Sequence, residues 1–187
     1  MNIIIFGPPG AGKGTQSKFI EKKYNLLQLS TGELLRNEIK NNTDIGQKII
    51  HDMTDGNFVS DEIVNSLIKQ NLLDPKKKNR LIFDGYPRSL SQARTLDLLL
   101  DKSEQKIDYI FFLNVKKEII IQRIEKRKSL ENRTDDEFDT IIKRYDTYMK
   151  TTKPVLDFYS KKPNFKEIDG SREIEQITSK IDTFLSA

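Results

Sequence analysis

Gly7-Pro8-Pro9-Gly10-Ala11-Gly12-Lys13-Gly14-Thr15 lies between an apolar run, Ile3-Ile4-Ile5-Phe6, and a helical pattern carrying Phe19 and Ile20. Strand, glycine-rich turn and helix, in that order, form the setting of a phosphate-binding loop. Glycines at 7, 10, 12 and 14 keep side chains out of the way, so successive N–H groups point inward at phosphate oxygens. The start of the helix adds partial positive charge. Lys13 reaches a terminal phosphate. An ordinary glycine-rich turn has no need of the G-x-x-x-x-G-K spacing. One residue departs from the general motif: Gly14 stands between Lys13 and Thr15, which displaces the usual hydroxyl ligand of magnesium. The metal must then lean on other groups.

Outward from this loop, the chain alternates strand and helix, the pattern of a parallel α/β sheet. Leu26 to Leu29 reads as a second strand, broken at Ser30-Thr31-Gly32, where Ser30 or Thr31 caps the next helix. Apolar Leu34, Leu35 and Ile39, then Ile45, Ile49 and Ile50, make residues 30–59 a mostly helical insertion ending near Gly56. A helix opens at Ser60-Asp61-Glu62. Leu81-Ile82-Phe83 predicts a third strand, Tyr109 to Val115 a fourth and Phe165 to Ile168 a fifth. The stretch from Lys126 to Asp136 has almost nothing to bury and is expected to be a mobile surface segment. A long helix is expected from about Glu137 to Ser160, perturbed at Pro154, and a closing helix from Glu173 to Leu185.

The 187 residues suffice for one domain with a substantial core. Charged residues at 32% describe a polar surface, and no apolar run approaches the length of a membrane span. Met1-Asn2 leads at once into the first strand, so no cleavable targeting segment is expected. The absence of cysteine excludes disulfides and cysteine-bound zinc, and fits a reducing interior. A net charge of +4 admits nucleic acid as a partner, but acids and bases are interspersed and Lys76-Lys77-Lys78 reads as a solvated turn.

Ligands of open α/β sheets sit beyond the carboxyl ends of the strands, and polar residues gather there. Asp84 closes an apolar strand in the manner of a Walker-B acid, and we assign it to magnesium through water, covering the displaced Thr15. Arg36, Arg88, Arg123, Arg127, Arg133 and Arg144 lie near sheet ends or in the two insertions. Arg123 and Arg127 share a helix face, and guanidinium groups suit bidentate phosphate contact. One such arginine is unremarkable; the set around a phosphate loop is not. Asp135 and Asp136 are placed to hold these guanidiniums when no substrate does.

Four segments together closely resemble adenylate kinase: Gly7 to Gln16, Leu29 to Arg36, Asp84 to Arg88 and Asn132 to Asp136. The ending Gly12-Lys13-Gly14-Thr15 is typical of nucleoside monophosphate kinases, which accounts for Gly14. The resemblance implies a P-loop NTPase fold, a five-stranded parallel sheet of order 2-3-1-4-5 flanked by helices. It implies one domain, 1–187, with a core (1–29, 60–126, 138–187), an NMP-binding segment at 30–59 and a short lid at 127–137. The implied reaction is ATP + AMP ⇌ 2 ADP with Mg2+ and without structural zinc. On the ATP side it implies Gly10, Ala11, Gly12, Lys13, Gly14, Thr15, Arg123, Arg127, Gly170 and Arg172. Around AMP it implies Thr31, Arg36, the backbone of Asn57, Phe58 and Val59, then Gly85, Tyr86, Pro87, Arg88 and Gln92. Arg133 and Arg144 reach both transferring phosphates. Lys13, Arg36, Arg88, Arg127, Arg133 and Arg144 form the catalytic set. A cis peptide is implied at Tyr86-Pro87. Asn57 stands where many members carry Lys or Arg, so AMP affinity is open to change. A cytoplasmic monomer is expected, since the residues of each site lie in one chain, with no nucleic-acid or membrane partner.

Thr31 and Gln92 weigh against a UMP/CMP kinase, since an amide at 92 pairs with an adenine edge. A nucleotide switch without an acceptor site leaves Arg36, Arg88 and Gln92 without a task. Convergence of Lys13 and six arginines predicts an open enzyme that closes on polyphosphate, a motion for which adenylate kinase lids are a standard example.

Overall fold

The computed structural model describes the backbone of residues 1–131 and 138–186, and the side chains of residues 1–126 and 139–186. Its strands are β1 (Ile3–Phe6), β2 (Leu27–Ser30), β3 (Leu81–Asp84), β4 (Tyr109–Asn114) and β5 (Phe165–Asp169). They form one parallel sheet in the order β2-β3-β1-β4-β5, as the resemblance implies. Ile5 pairs with Asp84 on one side and Phe111 on the other, so β1 is central.

Both faces of this sheet are covered, which is why β1 reads as an unbroken apolar run. Alternation along a strand divides its side chains between two cores. Ile4 and Phe6 join Leu81, Phe83 and Ile110 on one face. Ile3 and Ile5 join Ile82, Phe111 and Leu113 on the other. Helices α1 (Lys13–Tyr24), α6 (Lys117–Glu131) and α9 (Ile174–Leu185) supply Ile20, Ile120, Ile124, Ile177 and Ile181 to the second core. Helices α4 (Asp61–Leu72) and α5 (Leu90–Lys102) supply Ile68, Leu72, Leu96 and Leu100 to the first.

The insertion after β2 is helical, as expected: α2 (Thr31–Lys40) and α3 (Asp44–Thr54). Ser30 is the cap of α2, accepting the Glu33 N–H at 3.4 Å, and Thr43 caps α3 at 3.0 Å from the Gly46 N–H.

Two expectations need correction. The long helix expected at 137–160 is two helices, α7 (Phe138–Thr151) and α8 (Lys153–Tyr159), separated at Thr152. Pro154 has no N–H to continue the ladder, so it opens a new helix rather than bending an old one. Residues from Lys126 to Glu131, expected as surface segment, extend α6 instead. Lys, Arg, Glu and Leu are good helix formers, and lengthening an existing helix carries no nucleation cost. Residues 132–137, the remainder of the expected lid, lie outside the described residues.

Candidate active site

The phosphate loop turns on glycine. Gly12 precedes α1 with φ of 93°, left-handed backbone that favours glycine, and no side chain caps the helix. The first N–H groups of α1 therefore face the loop rather than a capping oxygen. Lys13 Nζ donates to the carbonyls of Gly7 at 2.9 Å and Pro8 at 3.1 Å. The lysine head lies over its own loop, at the mouth a phosphate would enter. Thr15 is exposed.

Asp84, at the carboxyl end of β3, is buried beside the first turn of α1. Its Oδ2 accepts a hydrogen bond from Gln28 Nε2 at 2.8 Å, and Gly14 leaves space above the pair. Gln28 was not singled out from the sequence; its only signal is a polar residue in the Leu27-Gln28-Leu29-Ser30 strand. Among the described residues no three His, Cys, Asp or Glu gather as a metal-binding group. A lone carboxylate beside a phosphate loop suits Mg2+, which keeps its waters and leans on substrate phosphates.

Across the cleft, the turn after β3 carries Arg88. Its Nε donates to the Gly85 carbonyl at 2.7 Å and its guanidinium lies 4.9 Å from the Phe58 ring centre. Burial, then the nearby charges of Arg144 and Arg36, push its pKa down to about 10, while Asp84 and Tyr148 oppose the shift. Arg88 thus remains cationic at neutral pH. Thr31 Oγ1 donates to the same Gly85 carbonyl at 3.0 Å. Thr152, at the break between α7 and α8, donates to the Arg88 carbonyl at 3.2 Å. The Arg36 guanidinium folds back over Gly32, about 3.3 Å from where a Cβ would stand.

Gln92 is nearly enclosed, at 3% exposure, and already engaged: Nε2 donates to Asp61 Oδ1 at 2.7 Å and Oε1 accepts the Arg88 N–H at 2.7 Å. One N–H and one lone pair remain for an adenine edge. Tyr86 is fully buried, its hydroxyl donating to Asn65 Oδ1 at 2.6 Å, so its side chain belongs to the core. The Tyr86–Pro87 peptide is cis. Asn57 is exposed and Val59 buried, and Phe58 between them lines the cleft.

Arg123 ties α6 to the turn after β5, donating to the Gly170 carbonyl at 2.7 Å and the Arg172 carbonyl at 3.3 Å. Arg172 turns its own side chain to Asp169, at 2.9 Å. The side chain of Arg127 and all of Arg133, Asp135 and Asp136 lie outside the described residues. His51 is on the surface of α3. What the fold brings together is a cleft lined by Lys13, Phe58, Gly85, Arg88 and Arg144, and by Tyr148, which the sequence did not single out.

A phosphate loop after the central strand of a parallel sheet, faced by clustered arginines, is the arrangement of a P-loop nucleotide kinase. A family model described as adenylate kinase matches residues 5–164. The chain is 49% identical to an adenylate kinase of Pelagibacter ubique (strain HTCC1062) over 211 aligned positions, covering 99% of each chain. It is 39% identical to one from Caulobacter sp. (strain K31), covering all of this chain and 98% of that one. It is 34% identical to one from Archaeoglobus fulgidus, covering 99% and 98%. The chain belongs to the adenylate kinase family.

Proposed function

We propose that the chain performs its family's reaction, reversible Mg-dependent transfer of the terminal phosphoryl group of ATP to AMP, giving two ADP and so balancing the adenine nucleotides. The observation that carries this is the convergence of Lys13, Arg88 and Arg144 on one cleft. The phosphate loop, Gly10 to Thr15, holds the ATP phosphates, with Arg123, Arg127 and the Gly170 to Arg172 turn framing that side. Thr31, Arg36, the 57–59 backbone, Gly85 to Arg88 and Gln92 hold AMP. Arg133 and Arg144 reach both transferring groups.

The acceptor needs no general base. A phosphate's second pKa is about 6, so its oxygen is already ionised at neutral pH. That oxygen attacks the terminal phosphorus of ATP, and the bond to the bridging oxygen breaks with ADP as leaving group. Two polyanions must therefore approach in line, and the barrier is one of alignment and charge. Lys13 and the arginines supply cations fixed in advance. Asp84, oriented by Gln28, holds Mg2+ through water. Mg2+ held there would supply positive charge to offset that of the phosphates.

The segment 30–59 and a lid at 127–137 close over the nucleotides and exclude water, which suppresses hydrolysis. On this reading both nucleotides are held by residues of one chain, which supports a monomer, and a cytoplasmic location is part of the same proposal. Among the described residues no helix is long and apolar enough to cross a membrane. Purified protein with Mg-ATP and a panel of AMP, CMP, UMP and GMP tests the reading. ADP formation with strong preference for AMP is expected; no transfer to AMP overturns it.

A further inference from the structure

Buried tyrosine hydroxyls almost always find a hydrogen-bond partner, and one that has none calls for an explanation. Tyr148 is 9% exposed and its hydroxyl has no partner among the described residues. The residue is part of the wall of the cleft, beside Gly85, Arg88 and Arg144. Arg144 and Tyr148 are one turn apart on α7 and share a face. The phenol is close enough to Arg88 for each to shift the other's ionisation, and burial raises its pKa, so it stays protonated and able to donate.

Two other buried tyrosines provide the contrast. Tyr86 is buried as deeply, but its hydroxyl is taken up by Asn65. Tyr159 also has an unpartnered hydroxyl, but it packs against Phe6 in the core and is not part of the cleft wall.

We propose that the Tyr148 hydroxyl is a further ligand of the acceptor nucleotide, donating a hydrogen bond to the monophosphate group that Arg88 holds. This rests on the reading that the AMP phosphate lies against Arg88. A neutral donor there adds direction without adding to the repulsion among Arg36, Arg88 and Arg144. It also explains why a hydroxyl is kept where phenylalanine would fill the same space.

The test compares Tyr148→Phe with Tyr159→Phe, each removing one unpartnered buried oxygen and nothing else. Dissociation constants for AMP and Mg-ATP, steady-state kinetics and Tm are measured for both and for the wild type. Both variants are expected to melt at or above the wild-type temperature, because an orphaned hydroxyl costs stability. Tyr148→Phe weakens AMP by roughly tenfold or more, the scale of a hydrogen bond to an anion, and leaves Mg-ATP within twofold. Tyr159→Phe changes neither. AMP affinity within twofold of wild type in Tyr148→Phe overturns the proposal. Equal weakening of both nucleotides, or a fall in Tm, overturns it too, since either reveals a structural role. A wild-type protein that does not phosphorylate AMP refutes the underlying reading instead, and that result needs no variant.

Discussion

Gln28 donates its side-chain N–H to Asp84 Oδ2 at 2.8 Å, linking β2 to β3 just beneath the first turn of α1. This bond fixes the carboxylate through one oxygen, next to Gly14 of the phosphate loop. Groups that orient a metal-holding residue typically contribute 10–100-fold to metal affinity or activity. Gln28→Leu is expected to raise the Mg2+ concentration for half-maximal rate by roughly tenfold. Asp84→Asn is expected to do the same or more. Mg2+ titrations of the initial rate decide it; curves that coincide with wild type would remove Asp84 from the metal's surroundings.

Arg88 is held by the Gly85 carbonyl, packed on Phe58 and pressed by two other arginines. Its removal therefore acts in opposite directions on turnover and on stability. Arg88→Met is expected to cut turnover at least a hundredfold, on the scale of arginine stabilisation in phosphoryl transfer. In nucleotide-free protein the same change is expected to raise Tm, at roughly 2–4 °C for each kcal/mol of repulsion and desolvation relieved. The pH dependence has a definite sign. With a folded pKa near 10, below that of a free guanidinium, burying the cation costs stability at all lower pH. Above about 10 the unfolded chain holds more protons than the folded one, so wild-type stability rises relative to the variant. Near-full activity, or a lower Tm, would contradict this account of the site.

The elements that the sequence disclosed are those whose signal is local. An apolar run followed by glycines at fixed spacing places β1, the loop and α1. Asp84 is legible because it ends a strand. The pairings that orient the site are not local. Gln28 and Asp84 are 56 residues apart, and Gln92 and Asp61 are 31 apart on different helices. Only the register of β2 against β3, and the packing of α4 on α5, bring them together. The misreadings have the same origin. The end of α6 carries no apolar stripe in its sequence, yet its intrinsic propensity keeps it helical. Pro154 announced a disturbance, but the sequence could not distinguish a bend from a fresh start.

Gly46 lies where α3 crosses the end of α2. A Cβ there would stand 2.2 Å from the Glu38 carbonyl oxygen and 2.5 Å from its carbon. Both are backbone atoms, so no rotamer change relieves the clash and the two helices must part. Gly46→Ala is expected to destabilise by about 1–3 kcal/mol, the usual range for overpacking. Tm should fall, and hydrogen exchange should quicken across residues 31–54 before the sheet is affected. An unchanged Tm would show that the crossing is looser than this.

Asp61 fixes the orientation of Gln92. As a carboxylate it only accepts, so the Gln92 NH2 must face it, and the Arg88 N–H must meet the amide oxygen. Ser89 Oγ donates to the other Asp61 oxygen at 2.6 Å, which locks the carboxylate in turn. An amide held this way presents one fixed N–H and one fixed lone pair, a pattern that matches the amino group and ring nitrogen of adenine and mismatches uracil, whose donor and acceptor are reversed. Asp61→Ala frees the amide to turn over and leaves its N–H unsatisfied. AMP KM is expected to rise by roughly tenfold, the scale of one buried hydrogen bond left unmade, while the KM for Mg-ATP stays within about twofold. The preference for AMP over UMP should narrow in parallel. Asp61→Asn offers a sharper version, because its amide can still accept through one oxygen: most of the AMP affinity should survive only if Gln92 keeps its orientation. A variant at Asp61 that lost AMP and ATP affinity alike, or kept full discrimination between bases, would break the link between this carboxylate and base recognition.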